Sequence, residues 1–488
     1  MKYKKPRNWK KGSISIYLCL SLCVILTLIA ACMDSARLAC GRGALACSME
    51  EGMFSLFSNY DKTLYEKYGL LLLDAGYSGS SFQIGRLVDE LTEDMEKVLS
   101  PADLLSGINA KKLYRISLNS SKITGYVLGT DENYKAIQNQ IEELMTTKIG
   151  VDGLKKLGDK LSISVNALKK YGLEENQDIN QLLTQYQEKK DAADEEAMTA
   201  TEAEEADTED FVNPLDNAEK ILKMGFDSLF LPKGRELSQA TVDTSGLLSS
   251  RSQNKGFGIF PKEEGSTQKL LLAEYGLDFY SNFLSTKEKS GLQYQTEYLI
   301  AGKSSDVDNL KYVIKRLLLF REGMNYLYLA SDSSKKAKAE TAATVISTMI
   351  LCPEAQEAVT QLLMLFWAYV ESAMDIKAIL SGGNIPLFKD ENSWQSSFDL
   401  LSSFHSDTEA ERQEKGLSYE DYLRILLYCT SEQDLLDRTM NMLEYNKRIE
   451  DEKENFRLDN CLVAFQLEYE CKIGRHKVTI NRSYGYDM

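Results

Sequence analysis

Histidine is scarce in this chain, with two residues in 488, His405 and His476. Neither lies near Cys or carboxylates at the spacing of a zinc site, so no such site is predicted. A disulfide framework is also missing, because five of the nine cysteines fall in the first 47 residues on one helical pattern. Cys461 and Cys471 would lie about 33 Å apart in an extended strand, too far to pair. We therefore predict no metal and no cofactor.

Positive charge is short in most of the chain. The net charge is −16, and the six basic residues before residue 12 leave −22 for residues 34–488. Such an acidic chain repels nucleic acid, so DNA and RNA are not predicted partners. Residues 191–210 hold ten acidic residues, no basic ones and no glycine. This composition indicates a linker or a solvated helix extension rather than a calcium-binding loop.

One uncharged run, residues 12–33, is long enough to span a membrane. At about 1.5 Å per residue, residues 14–33 cover a hydrocarbon core of about 30 Å. The predicted anchor side chains are Ile14, Leu18, Leu22, Ile25, Leu28 and Met33. The basic cluster lies wholly on the N-terminal side of the run, which predicts a cytoplasmic N-terminus and an extracytoplasmic chain after about Arg37, in the cell membrane. These topology residues are Lys2, Lys4, Lys5, Arg7, Lys10 and Lys11.

Two alternatives to an uncleaved anchor remain open. A removed secretory signal looks similar, and Ile29-Ala30-Ala31-Cys32 fits the small-residue pattern before a lipidated cysteine. The helical pattern nevertheless continues past Cys32 without a turn signal, where a lipoprotein usually begins a polar tether. We therefore favour an uncleaved transmembrane helix that continues into a helical stalk.

Small residues form a stripe along the continuing helix, at spacings that keep them on one side. The stripe consists of Cys32, Ala36, Cys40, Gly43 and Cys47. Such a stripe lets a second helix approach closely, which would permit self-association through the anchor. The favoured interpretation is that it packs on the protein's own domain, because amphipathic stripes usually face a core.

The rest of the chain predicts a helix-rich α+β fold with two extracytoplasmic domains and a C-terminal β-hairpin. The predicted limits are 1–60 for tail, transmembrane helix and stalk, 61–187 for the first domain, 188–213 for the acidic linker and 214–488 for the second domain. Strands are predicted near residues 70–73, at 113–118, 123–128, 291–300, 461–471 and 477–484. Helices are predicted at 132–147, 305–329, 334–351 and 354–380, with two more that begin at Ser418 and Ser431.

Two patterns resemble catalytic sites and are interpreted as structural. His405 lies near Ser402, Ser403 and Asp407, the residue types of a nucleophile triad, but a serine-rich loop favours exposed residues without that role. Ala301-Gly302-Lys303-Ser304 resembles a phosphate-binding loop, yet Glu297 stands where that motif needs glycine. A turn followed by a helix cap is the favoured interpretation.

Glu371 and Asp375 lie four residues apart on one face of the helix predicted at 354–380, as in a carboxylate metal site. No Glu-x-x-His occurs in the chain. We therefore expect these acids to meet Lys or Arg, or to mark the solvent side. No catalytic residue and no small-molecule substrate are identified.

The N-terminal pattern, in residues 11–17 and 34–37, resembles the anchors of minor pilin-like proteins of tight-adherence (Flp-type, TadE/TadG-like) pili. The longer pattern resembles an uncharacterised Gram-positive family, a domain of unknown function found near such pilus or secretion genes. Residues 65–70, 213–215, 297–306, 367–372 and 417–422 carry this second resemblance. Tyr17 stands where true prepilins have glutamate, so prepilin-type cleavage after Gly12 is not expected.

The resemblance implies a single-pass envelope protein that faces outward and helps to assemble a pilus or secretion-type surface system, with no enzymatic residues. Its expected partners are the membrane and envelope or pilus and secretion proteins. The alternative is an extracellular ligand-binding or adhesive protein, and a sizeable aromatic-lined pocket in the second domain would favour it.

Overall fold

The computed structural model describes residues 10–101, 109–171, 179–199, 211–232, 234–258, 269–286 and 291–486. The chain is 63% helical with a small sheet, which confirms the helix-rich fold with an apolar N-terminal helix and a C-terminal hairpin. The first helix has 49 residues and no proline to interrupt its hydrogen bonds. It is therefore about 74 Å long.

The elements follow one another in this order. The first part holds α1 (Lys10–Ser58), α2 (Lys62–Tyr68), β1 (Leu73–Asp74), α3 (Ile84–Leu99), α4 (Ala110–Tyr114), β2 (Ile116–Leu128) and α5 (Asp131–Ile149). The middle part holds α6 (Val151–Tyr171), α7 (Ile179–Thr199), α8 (Leu215–Leu222), α9 (Phe226–Phe230), α10 (Lys269–Phe279), α11 (Gln295–Ala301), α12 (Asp306–Ser331), α13 (Ser333–Met349) and α14 (Gln356–Leu380). The last part holds α15 (Leu400–Ser403), α16 (Tyr419–Cys429), α17 (Glu432–Glu450), β3 (Cys461–Ile473) and β4 (His476–Gly485).

The chain forms two compact units, each assembled from separate stretches of sequence. Unit 1 comprises Met1–Gln140, Ser252–Gly265 and Lys453–Met488, and unit 2 comprises Ile141–Arg251 and Ser266–Glu452. These limits differ from those of the continuous domains, 61–187 and 214–488, expected from sequence. The two domains stay a prediction.

Unit 1 is a four-stranded antiparallel sheet with helices on one face. Strand β3 is central, with β2 along one edge and β4 and the short β1 along the other. Alternate side chains of β3, from Phe465 to Ile473, join one core with α1 and α3. Because strand side chains alternate between faces, this pattern places both helices on the same face of the sheet.

The stretch 252–258 joins unit 1 through the edge strand β2. Phe257 and Tyr126 exchange backbone hydrogen bonds of 3.0 and 2.9 Å. Gly258 has φ of +80°, and a Cβ there would lie 2.3 Å from the carbonyl oxygen of Thr124. Glycine is therefore required where the two backbones approach.

Unit 2 is helical around α14, in which every residue from Leu362 to Leu380 is buried. Helices α12 and α13 pack against it. This helix lies where the sequence predicts one at 354–380, and its apolar run at 362–370 is buried throughout. The predicted caps also form, since Ser418 and Ser431 each accept from the backbone N–H three residues on.

Three strand predictions were wrong in whole or in part. Residues 295–301 form α11 instead of a strand, and because all seven are buried, no alternation could reveal their type. Only Leu73 and Asp74 pair from the first apolar run. Residues 113 and 114 belong to α4, and β2 continues unbroken from 116 to 128. Of the acidic stretch, residues 191–199 extend α7, and 200–210 lie outside the described residues.

Candidate functional site

The first half of α1 presents apolar side chains on all sides. The predicted anchor residues Ile14, Leu18, Leu22, Ile25, Leu28 and Met33 are 52–63% exposed. In water this exposure would be unfavourable by roughly 2 kcal/mol for each large side chain. Lys10 and Lys11 begin the helix, whereas Lys2, Lys4, Lys5 and Arg7 lie outside the described residues.

The second half of α1 is built into unit 1. Leu45, Met49, Met53, Leu56 and Phe57 are at most 2% exposed and share one core with α3 and the sheet. Leu45, Met49 and Met53 are four residues apart, and Leu56 and Phe57 follow Met53 by three and four residues, which places all five along one face. A single helix thus carries the apolar run and part of the core of unit 1.

Strand β4 and the residues that flank it contact α1 at three levels. Arg475 Nη2 and His476 Nε2 lie 2.8 and 3.0 Å from Asp34 Oδ2. Farther along, Arg482 donates to Glu50 at 2.9 Å, and the Tyr486 hydroxyl donates to the Phe57 carbonyl at 2.7 Å. The hydrogen bond to His476, followed by the one to Arg475, lowers the pKa of Asp34. The hairpin turn therefore lies where the apolar run ends.

The small-residue stripe does not face unit 1. Cys32, Ala36, Cys40, Gly43 and Cys47 are all exposed. A Cβ at Gly43 would meet no atom within 4 Å. In the structure, a different face of α1 packs on the core of unit 1. The favoured interpretation, in which the stripe packs on the protein's own domain, is therefore not observed. Packing against a second helix stays a prediction.

In unit 2, Glu371 and Asp375 meet Lys and Arg, as one of the two sequence alternatives states. Lys389 Nζ donates to Glu371 Oε1 and lies 2.7 Å from Asp375 Oδ1. Arg321 Nε donates to Asp375 Oδ2 at 3.0 Å. All four charged groups are at most 1% exposed. Two positive and two negative charges thus compensate one another in a buried cluster.

Backbone and amide groups add further hydrogen bonds to this cluster. The Ser396 N–H donates to Glu371 Oε2 at 2.7 Å, and Asn325 Nδ2 donates to Asp375 Oδ2 at 3.0 Å. Arg321 also donates to the carbonyls of Pro386 and Leu387. Three of the four carboxylate oxygens accept hydrogen bonds, and the fourth, Asp375 Oδ1, forms an ion pair with Lys389. The cluster therefore compensates its own charges around α14 rather than offering open ligands.

Sequence reasoning identified the two acids of the cluster but missed Arg321 and Lys389. Arg321 lies 54 residues before Asp375. Lys389 follows α14 in a loop, 18 residues after Glu371. Arg321 is a basic residue inside the helix predicted at 305–329, and a charge among the apolar residues Leu317, Leu318, Leu319 and Phe320 is the one local signal that points to a partner.

Glu297 is another buried acid in unit 2. Its Oε1 accepts from the Tyr419 hydroxyl at 2.6 Å and from the Phe283 N–H at 2.8 Å. Burial raises the pKa of Glu297 to about 7. The glycine-containing sequence that follows is a helix end, with Gly302 in the left-handed conformation after α11 and Ser305 capping α12. The favoured turn and helix cap is confirmed, and the element before it is a helix.

His405 lies in an exposed turn, as expected. Its Nδ1 is 2.8 Å from the Ser403 carbonyl oxygen and 3.3 Å from Thr408 Oγ1. The hydroxyls of Ser402 and Ser403 bond to backbone carbonyls. These residues therefore do not form a nucleophile triad in the structure.

A cavity of about 200 Å³ lies in unit 2 beside the start of α17. Tyr312 is its one aromatic lining residue, and Arg316, Asp434 and Arg438 line it with charged groups. Arg438 already donates to the carbonyls of Leu299 and Ile300. Across the described parts of the chain, no group of three or more His, Cys, Asp or Glu residues is arranged to hold a metal ion.

The protein is helix-rich, and among its described residues one helix, α1 at the N-terminus, is long and apolar enough to cross a membrane. Such a helix is compatible with a membrane anchor or a signal sequence. The sequence profile of a family of unknown function, DUF5702, matches residues 202–473, and the chain belongs to this family. No curated protein and no solved structure matches the chain. Together these features fit a single-pass anchored protein of unknown activity.

Proposed function

We propose that this chain is a single-pass protein of the cell membrane, with a cytoplasmic N-terminus and both units outside. In this proposal it acts without catalysis, as a structural or assembly component of a pilus or secretion-type surface system. Its partners are other envelope proteins, and self-association through α1 contributes. The adhesive alternative gains no support from the polar cavity in unit 2, which has a single aromatic lining residue.

The observation that carries the proposal is the continuity of α1 from Lys10 to Ser58. An anchor that is retained must connect to the folded part, and here the same helix supplies five core side chains to unit 1. Asp34, the first charged residue after the apolar run, is held by Arg475 and His476. A rigid connection of this kind suits a protein that must hold a fixed orientation above the membrane.

The assembly role draws support from the exposed stripe on α1 and from the resemblance of the anchor to minor pilin-like proteins. Small residues on an exposed helix face allow close helix approach within or just above a bilayer. The buried charges of unit 2 are compensated internally, so this cluster has the features of a structural element.

Native cysteines provide a topology test. Cys40 and Cys47 are exposed on α1 beyond the apolar run, and a membrane-impermeant maleimide should label them in intact cells in those chains whose α1 is not paired with a second helix. Glu391→Cys, at an exposed position of unit 2, should also be labelled. The matched control replaces Cys40 and Cys47 with Ser, which should remove the first signal. Labelling of both positions only after lysis would refute the proposed orientation.

Two further measurements separate the alternatives. Mass spectrometry of the mature N-terminus should find the apolar run intact, whereas a diacylated Cys32 would establish the lipoprotein form. Purification of the tagged full chain in mild detergent should recover pilus or secretion components. Recovery of the chain without such components, from cells in which the surface system is assembled, would contradict the assembly role.

A further inference from the structure

The turn between β3 and β4 lies at the level where α1 leaves the apolar run. Arg475 and His476 of this turn contact Asp34, which directly follows Met33. The headgroup layer on each side of a bilayer is roughly 6 Å thick. Groups that contact Asp34 therefore lie at the depth of the lipid headgroups once residues 14–33 span the membrane.

The start of β2 and the short helix before it meet the same turn. The Gly474 N–H donates to the Arg115 carbonyl at 3.0 Å, and Ser117 pairs with Lys472 in the sheet. On the helix side, a Cβ at Gly41 would lie 3.4 Å from Tyr114 Cβ. Residues 111–115 and 472–477 thus form one surface around α1, which we name the basic tip.

The basic tip is strongly positive in a chain that is otherwise acidic. Its sequences, Lys111-Lys112-Leu113-Tyr114-Arg115 and Lys472-Ile473-Gly474-Arg475-His476-Lys477, contain six Lys or Arg residues and no acid. Residues 34–488 as a whole carry a net charge of −22.

Most of the positive charge of the basic tip is available to a partner. Lys112, Arg115, Lys472, Arg475 and Lys477 are exposed. Among the described residues, the acids that pair with the tip are Asp34, which pairs with Arg475 and His476, and Glu96, which pairs with Lys111. The side chain of Arg475 is still 79% exposed while it pairs with Asp34.

An apolar side chain stands in the middle of this charge. Leu113 is 55% exposed, between Lys112 and Tyr114 on α4. An exposed leucine among lysines and arginines is the combination that binds the boundary between lipid headgroups and acyl chains. A soluble polyanion would offer no apolar layer to cover it. The exposed leucine therefore favours a lipid surface over a soluble polyanion.

We propose that the basic tip binds the phosphate headgroups of anionic phospholipids in the outer leaflet, with Leu113 entering the interface. This inference rests on the proposed membrane anchor. The contact would hold unit 1 to the membrane at a second place besides the covalent connection through α1, which fixes its tilt. Each Lys or Arg near an anionic surface contributes a factor of about five in affinity.

Hydrogen exchange of the full chain in lipid nanodiscs tests the proposal. Discs of phosphatidylcholine alone are compared with discs of an equal mixture of phosphatidylcholine and phosphatidylglycerol. Amides of residues 109–117 and 470–480 should exchange at least about fivefold more slowly in the anionic discs. The difference should shrink at high salt, since salt screens exposed charges.

A matched pair of triple variants separates local charge from total charge. Lys112→Gln, Lys472→Gln and Lys477→Gln together should abolish the lipid-dependent protection. Three exposed lysines elsewhere in unit 1 supply the control, in which the protection should persist: Lys62→Gln, Lys122→Gln and Lys255→Gln.

The outcomes distinguish this inference from the anchor on which it rests. Strong protection of residues 14–33 in both kinds of disc, with equal exchange at the basic tip, would overturn the lipid contact and leave the anchor standing. Rapid exchange of residues 14–33 in both discs would overturn the anchor itself. Protection of the tip by soluble polyphosphate in phosphatidylcholine discs, without an effect of phosphatidylglycerol, would overturn the lipid proposal in favour of a soluble polyanion.

Discussion

Replacing Glu297 with Gln should remove a pH dependence from the stability of unit 2. In the folded chain, Oε1 accepts two hydrogen bonds, and Oε2 has no partner among the described residues. The amide oxygen of Gln can accept the same two bonds from Tyr419 and Phe283. The unpaired amide group adds a cost that is the same at every pH, so it cancels when two pH values are compared.

The magnitude follows from the pKa of Glu297, which burial raises from 4.5 to about 7. Between these values the folded chain holds a proton that the unfolded chain has released. The resulting stability is present below about 4.5 and is lost as pH rises through about 7. At 1.36 kcal/mol per pKa unit, the free energy of unfolding should fall by about 3 kcal/mol across this window.

Urea unfolding followed by tryptophan fluorescence measures this effect, because Trp367 and Trp394 both lie in unit 2. The difference in unfolding free energy between Glu297→Gln and the natural chain should increase by about 3 kcal/mol between about pH 5 and about pH 8.5. Glu391→Gln, at an exposed position, should leave the profile unchanged. Parallel profiles of the natural chain and Glu297→Gln would refute the assignment of a raised pKa to this carboxyl.

Three further substitutions test charge compensation, core packing and helix capping. Lys389→Met leaves Glu371 and Asp375 undercompensated and should destabilise unit 2 by about 3–5 kcal/mol in the same urea assay, whereas Lys338→Met, at an exposed position, should change little. Phe57→Ala removes a buried ring that contacts Tyr484 and should cost about 3–5 kcal/mol, seen as faster proteolysis of unit 1. Phe54→Ala, at a site 63% exposed, should cost well under half of that, and equal costs would contradict the packing of α1. Ser418→Ala removes a capping box and should lower the free energy of unfolding of unit 2 by about 1 kcal/mol, measured from its lower urea midpoint.

Local signals in the sequence predicted much of the fold. The capping sequences at Ser418 and Ser431 act within a few residues, so they could be read without knowledge of the tertiary structure. The same holds for the C-terminal hairpin, because β3 and β4 are neighbours in sequence and alternate in polarity. The continuation of α1 beyond Cys32 followed from the lack of any turn signal.

Contacts between distant residues could not be predicted in this way. The acids at 371 and 375 suggested a charged partner, but no local rule selects Arg321 or the loop residue Lys389. The entry of residues 252–258 into unit 1 depends on a backbone pairing with Tyr126, more than 120 residues away. Residues 295–301 are helical although their types suit a strand, because burial of all seven outweighs intrinsic preference.

The interrupted sequence of unit 1 sets an order of biosynthesis. The helix face with Leu45 and Phe57 is made early, but the central strand that it packs on starts only at Cys461. At 5–20 residues per second, the ribosome needs roughly 20–80 seconds to bridge that interval. Unit 2 ends at Glu452, so its sequence is complete before β3 and β4 exist. The helical unit can therefore fold first, and an apolar face of α1 must be shielded until the last two strands are made.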